Sequence, residues 1–121
     1  MTIRKLFFAL ALPLVVMSCG GGVKHISDME IRDSLIYANG QPYSGEVWSD
    51  DEHDYRLTTQ DGILVNCRLY HSNDSVAIEI LNDSIVTYYN DNGEVLLEDT
   101  FKVRYKEICA TLADLMSAIR P

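Results

Sequence analysis

The chain has 121 residues, with 10 basic and 18 acidic side chains and a net charge of −8. Residues 1–18 hold two of the basic residues and no acidic one, so residues 19–121 have a net charge of −10. Nucleic acid and anionic lipid surfaces repel so acidic a chain, which excludes them as main partners. About 100 residues are typical of one domain with a modest core.

The N-terminal residues follow the pattern of a secretory signal peptide. Arg4 and Lys5 give a positive start, and the twelve residues 6–17 form an almost unbroken apolar run. As a helix this run reaches about 18 Å, which is too short for a hydrocarbon core of about 30 Å. A positive start before a short apolar run is typical of an export signal, so we predict a signal peptide at residues 1–18.

The end of the run, Val16-Met17-Ser18-Cys19, resembles the lipobox of bacterial lipoproteins, in which the signal peptidase cuts before the cysteine. The resemblance implies that Cys19 is acylated and anchors the protein in the cell envelope, outside the cytoplasm, on a periplasmic or outer-membrane face. Three glycines follow, so we interpret residues 19–29 as the lipidated cysteine with a flexible tether and residues 30–121 as one domain. The alternative is an ordinary secretory signal with an unmodified cysteine.

The middle of the chain favours short β-strands joined by tight turns, because β-branched and aromatic residues alternate with polar ones. Asn39-Gly40 and Asn92-Gly93 lie between apolar segments and predict hairpin turns. In the longest segment the alternation puts four side chains on one face, namely Ile63, Val65, Cys67 and Leu69. The predicted strands are residues 34–37, 43–48, 63–70, 76–80 and 85–89.

Near the C-terminus the apolar period changes from that of a strand to that of a helix. Phe101, Val103 and Tyr105 alternate with charged residues, which predicts that the last strand extends through them. The next apolar residues fall on one stripe of a helix: Ile108, Leu112, Leu115, Met116 and Ile119. We therefore predict a mainly β fold, an antiparallel β-meander of degenerate hairpin repeats with one C-terminal amphipathic α-helix packed on the sheet.

A faint 19-residue repeat superimposes three pairs of residues: Tyr70 on Tyr89, Val76 on Val95, and Glu79 on Glu98. Residues 88–98, with paired tyrosines and Asn-Gly before a short strand, resemble the MORN-variant repeat. Residues 36–47 are similar to the opening unit of such proteins. Members of that family are often envelope lipoproteins or antitoxin-like proteins. The resemblance therefore implies a scaffold or binding role and carries over no catalytic residue.

We do not expect an enzyme, because the motifs of common hydrolases are missing from the sequence. His25, His53 and His71 do not have the spacing of metalloprotease or zinc-ribbon ligands. No Gly-x-Ser-x-Gly elbow is present. We accordingly predict no catalytic residue, no cofactor and no metal ligand.

The most distinctive charge cluster is the acidic segment at residues 50–54. Asp50, Glu52 and Asp54 are weak candidates for a calcium site, because alternate carboxylates suit a hard cation. An EF-hand loop beginning at Asp50 fails, since it needs glycine at Tyr55 and glutamate at Asp61. We favour a solvated hairpin tip, the usual place for like charges in a loop.

Two further patterns concern covalent chemistry. Ser34, Ser75 and Ser84 each lie between an aspartate and an apolar residue, which resembles an O-glycosylation site of exported bacterial proteins. The alternative is that Asp-Ser forms the turn before a strand. Cys67 and Cys109 are candidates for a disulfide if the helix covers the strand face, because export permits one. We favour the alternative that they are two separate buried thiols.

These observations predict a lipid-anchored, non-enzymatic envelope protein that presents a β-repeat surface to a protein or glycan partner. Aromatic residues are the candidate binding positions, since interfaces favour Tyr and Trp. The four that we select are Tyr43, Trp48, Tyr70 and Tyr89. The alternative for such residues is cross-strand packing and the core. Two other functions remain open: an immunity or antitoxin-like inhibitor of a basic toxin, and a small hydrolase.

Overall fold

The computed structural model describes residues 24–82 and 84–120, so the predicted signal peptide, the acylation site Cys19 and the glycines after it lie outside the described residues. The strands are β1 (Lys24–His25), β2 (Glu30–Arg32), β3 (Leu35–Ala38), β4 (Gln41–Pro42), β5 (Gly45–Trp48), β6 (Tyr55–Gln60), β7 (Ile63–Tyr70), β8 (Val76–Leu81), β9 (Ile85–Tyr89) and β10 (Val95–Leu96). A 3-10 helix (Ile26–Asp28) follows β1, and two α-helices, α1 (Glu98–Arg104) and α2 (Lys106–Ile119), follow β10.

The strands form two sheets. The larger has seven strands in the order β1-β5-β6-β7-β8-β9-β10, and the smaller has three in the order β2-β3-β4. All pairings are antiparallel except that of β1 with β5. A mainly β meander with a C-terminal amphipathic helix is therefore confirmed.

Tight turns of one conformation reverse the chain at one end of each sheet. Asn39 and Gly40 have φ of 54° and 79°, and Asp61 and Gly62 have φ of 52° and 83°. Positive φ at both central residues is typical of the type I′ turn, which matches the twist of a hairpin. The hairpin predicted at Asn39-Gly40 is confirmed.

At the other end of the large sheet, two turns have the same hydrogen bonds. In residues 71–75 and in residues 90–94, the N–H of the first residue donates to the carbonyl of the fifth over 2.8 Å. The N–H of the fourth residue, Asp74 or Gly93, donates back to the carbonyl of the first, and its φ is positive. The turns are 19 residues apart, which is the spacing of the sequence repeat. The hairpin predicted at Asn92-Gly93 is confirmed.

The core lies between one face of the large sheet and the two helices. The sheet contributes the buried side chains of Val47, Leu57, Cys67, Leu69 and Ile78, while the helices contribute Phe101, Leu115 and Ile119. Ile36 of the small sheet is also buried, and the other stripe residues, Ile108, Leu112 and Met116, pack against this core. The predicted apolar stripe of α2 is therefore confirmed. Its burial removes a continuous apolar surface from water.

The prediction that the last strand extends through Phe101, Val103 and Tyr105 is wrong, because α1 occupies residues 98–104. Of the three, Phe101 is fully buried while Val103 is 73% exposed. Acidic residues begin α1 and basic residues end it, and Glu98 forms an ion pair with Lys102 one helical turn later. These charges favour the helix through its dipole and through the i,i+4 contact.

The predicted face of β7 is wrong at its start. Thr58 pairs with Asn66 but Thr59 pairs with Leu64, so Val65 has no partner in β6 and forms a bulge. Beyond this bulge Leu64 points into the core and Ile63 is 55% exposed, whereas Cys67 and Leu69 are buried as predicted. An extra residue reverses the alternation on one side of a bulge, and the sequence pattern does not show it.

Residues 24–29, the last part of the segment predicted as a tether, contact the rest of the domain. Lys24 and His25 pair with Val47 and Trp48 of β5, and the imidazole Nε2 of His25 lies 2.6 Å from a carboxylate oxygen of Glu52. Ile26 and Met29 pack against the core. These contacts hold residues 24–29 against the domain, and they are too few to give the sequence a periodic pattern.

Candidate binding site

The face of the large sheet opposite the helices carries a row of polar and aromatic side chains. Successive residues of a strand point to opposite faces, so the neighbours of the buried Leu57 and Cys67 lie on this second face, which we call the open face. In register across the open face, Trp48 pairs with Arg56, Arg56 with Arg68, and Arg68 with Glu79. Four adjacent strands therefore supply one continuous row.

Two aromatic rings hold the guanidinium of Arg56. Its Cζ lies 3.8 Å from the centroid of the Trp48 ring and 5.3 Å from that of Tyr70. Such a cation over an aromatic face is attracted by the ring quadrupole. The indole Nε1 of Trp48 donates to a carboxylate oxygen of Glu46 over 3.2 Å, which fixes the ring beneath the guanidinium.

Within the described part of the chain, Arg56 forms no ion pair, and its buried Nε has no hydrogen-bond partner. Its neighbour Arg68 differs, because the Nε of Arg68 donates to Glu79 over 3.0 Å, and this hydrogen bond raises the pKa of Arg68. Buried polar atoms are nearly always paired in folded proteins. The unpaired N–H of Arg56 is therefore a feature that calls for an acceptor.

A cavity of about 160 Å³ lies beside Arg56 on the open face. Its lining includes Glu46, Arg56, Thr58, Asn66, Arg68 and Tyr70. It has room for a small polar group from a partner.

A larger cavity of about 670 Å³ lies between the turns and the junction of the two helices. His71 lines it and is buried, and its Nε2–H donates to the carbonyl oxygen of Tyr89 over 2.8 Å. The imidazole also meets the ring of Tyr105 edge-on, with centroids 4.6 Å apart. These contacts join a turn to β9 and to the helices, which is a structural role for His71.

The structure brings together two of the four predicted binding aromatics, Trp48 and Tyr70. Tyr43 instead packs against the core, and its hydroxyl donates to the carbonyl of Glu46 over 3.2 Å. Tyr89 is half-buried next to the 90–94 turn. The sequence analysis did not identify Arg56 as a candidate. Its position beside Trp48 depends on the pairing register of β5 with β6, which the sequence does not show.

The three weak calcium candidates do not converge. A carboxylate oxygen of Asp50 accepts from the N–H of Ser27 over 3.1 Å, while Glu52 contacts His25. Among residues 24–82 and 84–120, no three His, Cys, Asp or Glu side chains are placed to hold a metal ion. The contacts of Asp50 and Glu52 instead attach the N-terminal segment to the acidic turn.

Asp51, which the sequence patterns do not single out, organises this turn. One carboxylate oxygen accepts from the hydroxyl of Ser49 and from the N–H groups of His53 and Asp54, over 2.8 Å, 2.9 Å and 3.1 Å. These hydrogen bonds, led by that of the His53 N–H, lower the pKa of Asp51 to about 2. The carboxylate therefore stabilises the turn in its ionised form.

Cys67 and Cys109 are free thiols in the structure. Cys67 belongs to the core and is 1% exposed, and burial raises the pKa of its thiol to about 12. Cys109 is half-buried on α2, and burial raises its pKa as well. Neither thiol is ionised near neutral pH, so both have the low reactivity of packed cysteines.

The three predicted glycosylation serines all lie beside turns, in different surroundings. Ser34 and Ser84 are exposed. Ser75 is half-buried, and its hydroxyl donates to the side-chain oxygen of Asn73 over 2.6 Å. A modifying enzyme has freer access to Ser34 and Ser84 than to Ser75.

Comparisons of the chain with protein-family models, with curated proteins and with solved structures gave no match. Neither helix of the described chain is long and apolar enough to span a membrane.

Proposed function

We propose that the protein is a non-enzymatic binding module of the cell envelope and that it binds a partner protein through the open face around Trp48, Arg56 and Tyr70. Its anchor in this proposal is the acylated Cys19. The observation that carries the proposal is Arg56, held between two aromatic rings with a buried N–H that lacks an acceptor.

The composition of this cluster supports a protein partner. Trp, Tyr and Arg are the residue types that contribute most binding energy at protein interfaces, usually from a small central cluster. Here one residue of each type lies in contact on a sheet face that neither described α-helix covers. The guanidinium is already oriented by its two rings, so binding orders few additional side chains.

A photo-crosslinking experiment on the full chain in its native membrane tests the proposal. A photoreactive residue at Thr58, which lines the cavity on the open face, should give a discrete crosslinked protein. The same residue at Ser117, exposed on α2, is the matched control and should not give that product.

Trp48→Ala in the Thr58 variant should abolish the product while the protein stays folded by circular dichroism. An equal yield from both positions, or from the protein with and without Trp48, would overturn the proposal. A product that survives protease but disappears after glycan digestion would show a glycan partner instead.

The acidity of the chain favours a second candidate, an inhibitor of a basic toxin. Residues 19–121 carry a net charge of −10, which attracts a basic protein over distances of about a Debye length. Binding of that kind weakens as salt is raised and does not depend on Trp48. The salt dependence of the crosslink and its response to Trp48→Ala therefore separate the two functions.

A further inference from the structure

We infer that the cavity beside Arg56 is a carboxylate-binding site, which receives an acidic side chain or a C-terminal carboxylate of the partner. The identity of the partner rests on the proposed function. The site itself is defined by residues of this chain and is testable without the partner.

The charges around the cavity first point to an anion. The guanidinium of Arg56 is permanently charged, and the rings of Trp48 and Tyr70 contact it without accepting its N–H groups. Arg68 lies directly opposite in the neighbouring strand, an arrangement in which like charges repel. Glu79 compensates Arg68, whereas within the described chain no carboxylate pairs with Arg56.

Three sets of hydrogen-bond donors also meet at this cavity. The Nε–H of Arg56 is unpaired and the hydroxyl of Thr58 has no hydrogen bond within residues 24–82 and 84–120. The side-chain oxygen of Asn66 accepts from the N–H of Asn82 over 3.0 Å, which leaves its NH₂ group to donate. A carboxylate has two acceptor oxygens, so it can accept from several of these donors at once.

A carboxylate suits this set better than a single-atom anion. The N–H groups of a guanidinium form a planar fork that matches the two oxygens of a carboxylate. Stacking on Trp48 occupies the flat face of the guanidinium and leaves its edge for such a fork. The volume of about 160 Å³ accommodates a carboxylate together with the end of its side chain.

Glu46 limits the affinity for a free anion. It lines the same cavity, and its carboxylate accepts from the indole of Trp48. Replacing it with glutamine removes the negative charge and keeps an oxygen that accepts from the indole. Glu46→Gln should therefore strengthen carboxylate binding by about threefold, the effect of one charge acting through largely aqueous surroundings.

The test is an NMR titration of the isotope-labelled full chain in detergent micelles with sodium acetate, using sodium chloride at equal ionic strength as reference. The Nε–Hε signal of Arg56 should shift and saturate at tens of millimolar acetate, as expected for one charge-assisted pair. Arg32 is the matched control, because it also lies over a tyrosine ring but is paired with Glu30. Its signal should not show a saturating shift.

Each result bears on the inference. Glu46→Gln should lower the acetate concentration at half-saturation. Acetate should also shift the side-chain amide signal of Asn66, and Arg56→Lys should abolish that shift. N-acetylaspartate amide and N-acetylalanine distinguish a side-chain carboxylate from a terminal one by their relative affinities. Equal responses of Arg32 and Arg56, or equal shifts with chloride, would overturn the site, as would saturation with phosphate but not acetate. If acetate binds while no crosslinked partner is found, the carboxylate site stands and the proposed function fails.

Discussion

The N–H of Ile36 donates a hydrogen bond to the carbonyl oxygen of Gly62 over 2.9 Å, which joins the small sheet to the turn between β6 and β7. In the same turn, the N–H of Gly62 donates a hydrogen bond to the carbonyl oxygen of Tyr43 over 2.9 Å. Through these contacts the buried Ile36 is held against the end of the large sheet. The contact between the two sheets therefore depends on a close approach of the backbone at Gly62.

We predict that Gly62→Ala destabilises the fold by about 3 kcal/mol, measured by urea denaturation. The residue has a φ of +83°, and an added Cβ would lie 3.1 Å from the carbonyl oxygen of Ile36. Gly40→Ala is the control, because Gly40 has a φ of +79° with no atom within 4 Å of an added Cβ. It should lose only about 1 kcal/mol, the cost of left-handed backbone. Equal losses would show that the contact with Ile36 has no energetic weight.

We predict that Asp51→Asn lowers stability above pH 4 and has little effect near pH 2. The folded pKa of about 2 lies below the ordinary 3.8, so the carboxylate stabilises the fold above 3.8 and loses this contribution as the pH falls through about 2. The carboxylate is exposed, so we expect at most about 1 kcal/mol after solvent screening. Melting temperatures across this pH range, with the exposed Asp91→Asn as control, measure the effect. A constant difference between the wild type and Asp51→Asn would contradict it.

We predict that Asn90→Ala destabilises the protein by about 2 kcal/mol in urea denaturation. The side-chain oxygen of Asn90 accepts from the N–H groups of Asn92 and Glu94, each over 2.9 Å, and its NH₂ donates to the Glu94 carboxylate over 2.8 Å. Asn90 is only 8% exposed, and its truncation removes all three of these side-chain hydrogen bonds that hold the turn. Asn92→Ala, at an exposed position in the same turn, should have little effect. A similar loss in both variants would mean that Asn90 has no special role.

We predict that the two described thiols resist alkylation in the folded protein and that both react in denaturant without a reductant. Burial keeps Cys67 protonated, with a pKa of about 12, and Cys109 is also shielded. Mass spectrometry after iodoacetamide treatment counts the modified sites. Labelling in denaturant that requires prior reduction would show that the two cysteines are bridged.

We predict that Cys19 carries lipid, from its resemblance to the lipobox cysteine. Metabolic labelling with a fatty-acid probe should mark the wild type and leave Cys19→Ser unmarked. Cys67→Ser is a suitable control, since its thiol belongs to the folded domain and should not be acylated. Incorporation of the probe by Cys19→Ser at the wild-type level would remove the basis for an anchor.

The parts of the fold that depend on local chemistry are predictable from the sequence. Asn39-Gly40 specifies its turn through left-handed backbone at both residues, and the turn at Asn92-Gly93 uses left-handed backbone at Gly93. Helix α2 has fourteen residues, long enough for the helical period of its apolar stripe to be unambiguous. In α1 only Phe101 is buried, so an alternating pattern and a helical pattern fit the segment equally well.

The candidate site was only partly predictable, because it depends on which strands lie side by side. Trp48 and Tyr70 were candidates from residue type alone. Arg56 joins them only through the register of β5 with β6, and its missing acceptor is a property of the packed structure. The bulge at Val65 likewise arises from pairing with β6, and no residue in β7 marks it.

The parallel pairing of β1 with β5 determines which end of the large sheet faces the membrane if Cys19 is acylated. β1 runs away from the end of the sheet that carries the turn at Gly62, because Lys24 pairs with Val47 and His25 with Trp48. Five residue steps separate Cys19 from Lys24 and span at most about 18 Å when extended. The direction of β1 would then turn the Gly62 end of the sheet towards the bilayer and the turns at 71–75 and 90–94 away from it. A partner would meet the open face from the side, which favours proteins of the same membrane surface over those that arrive from far above it.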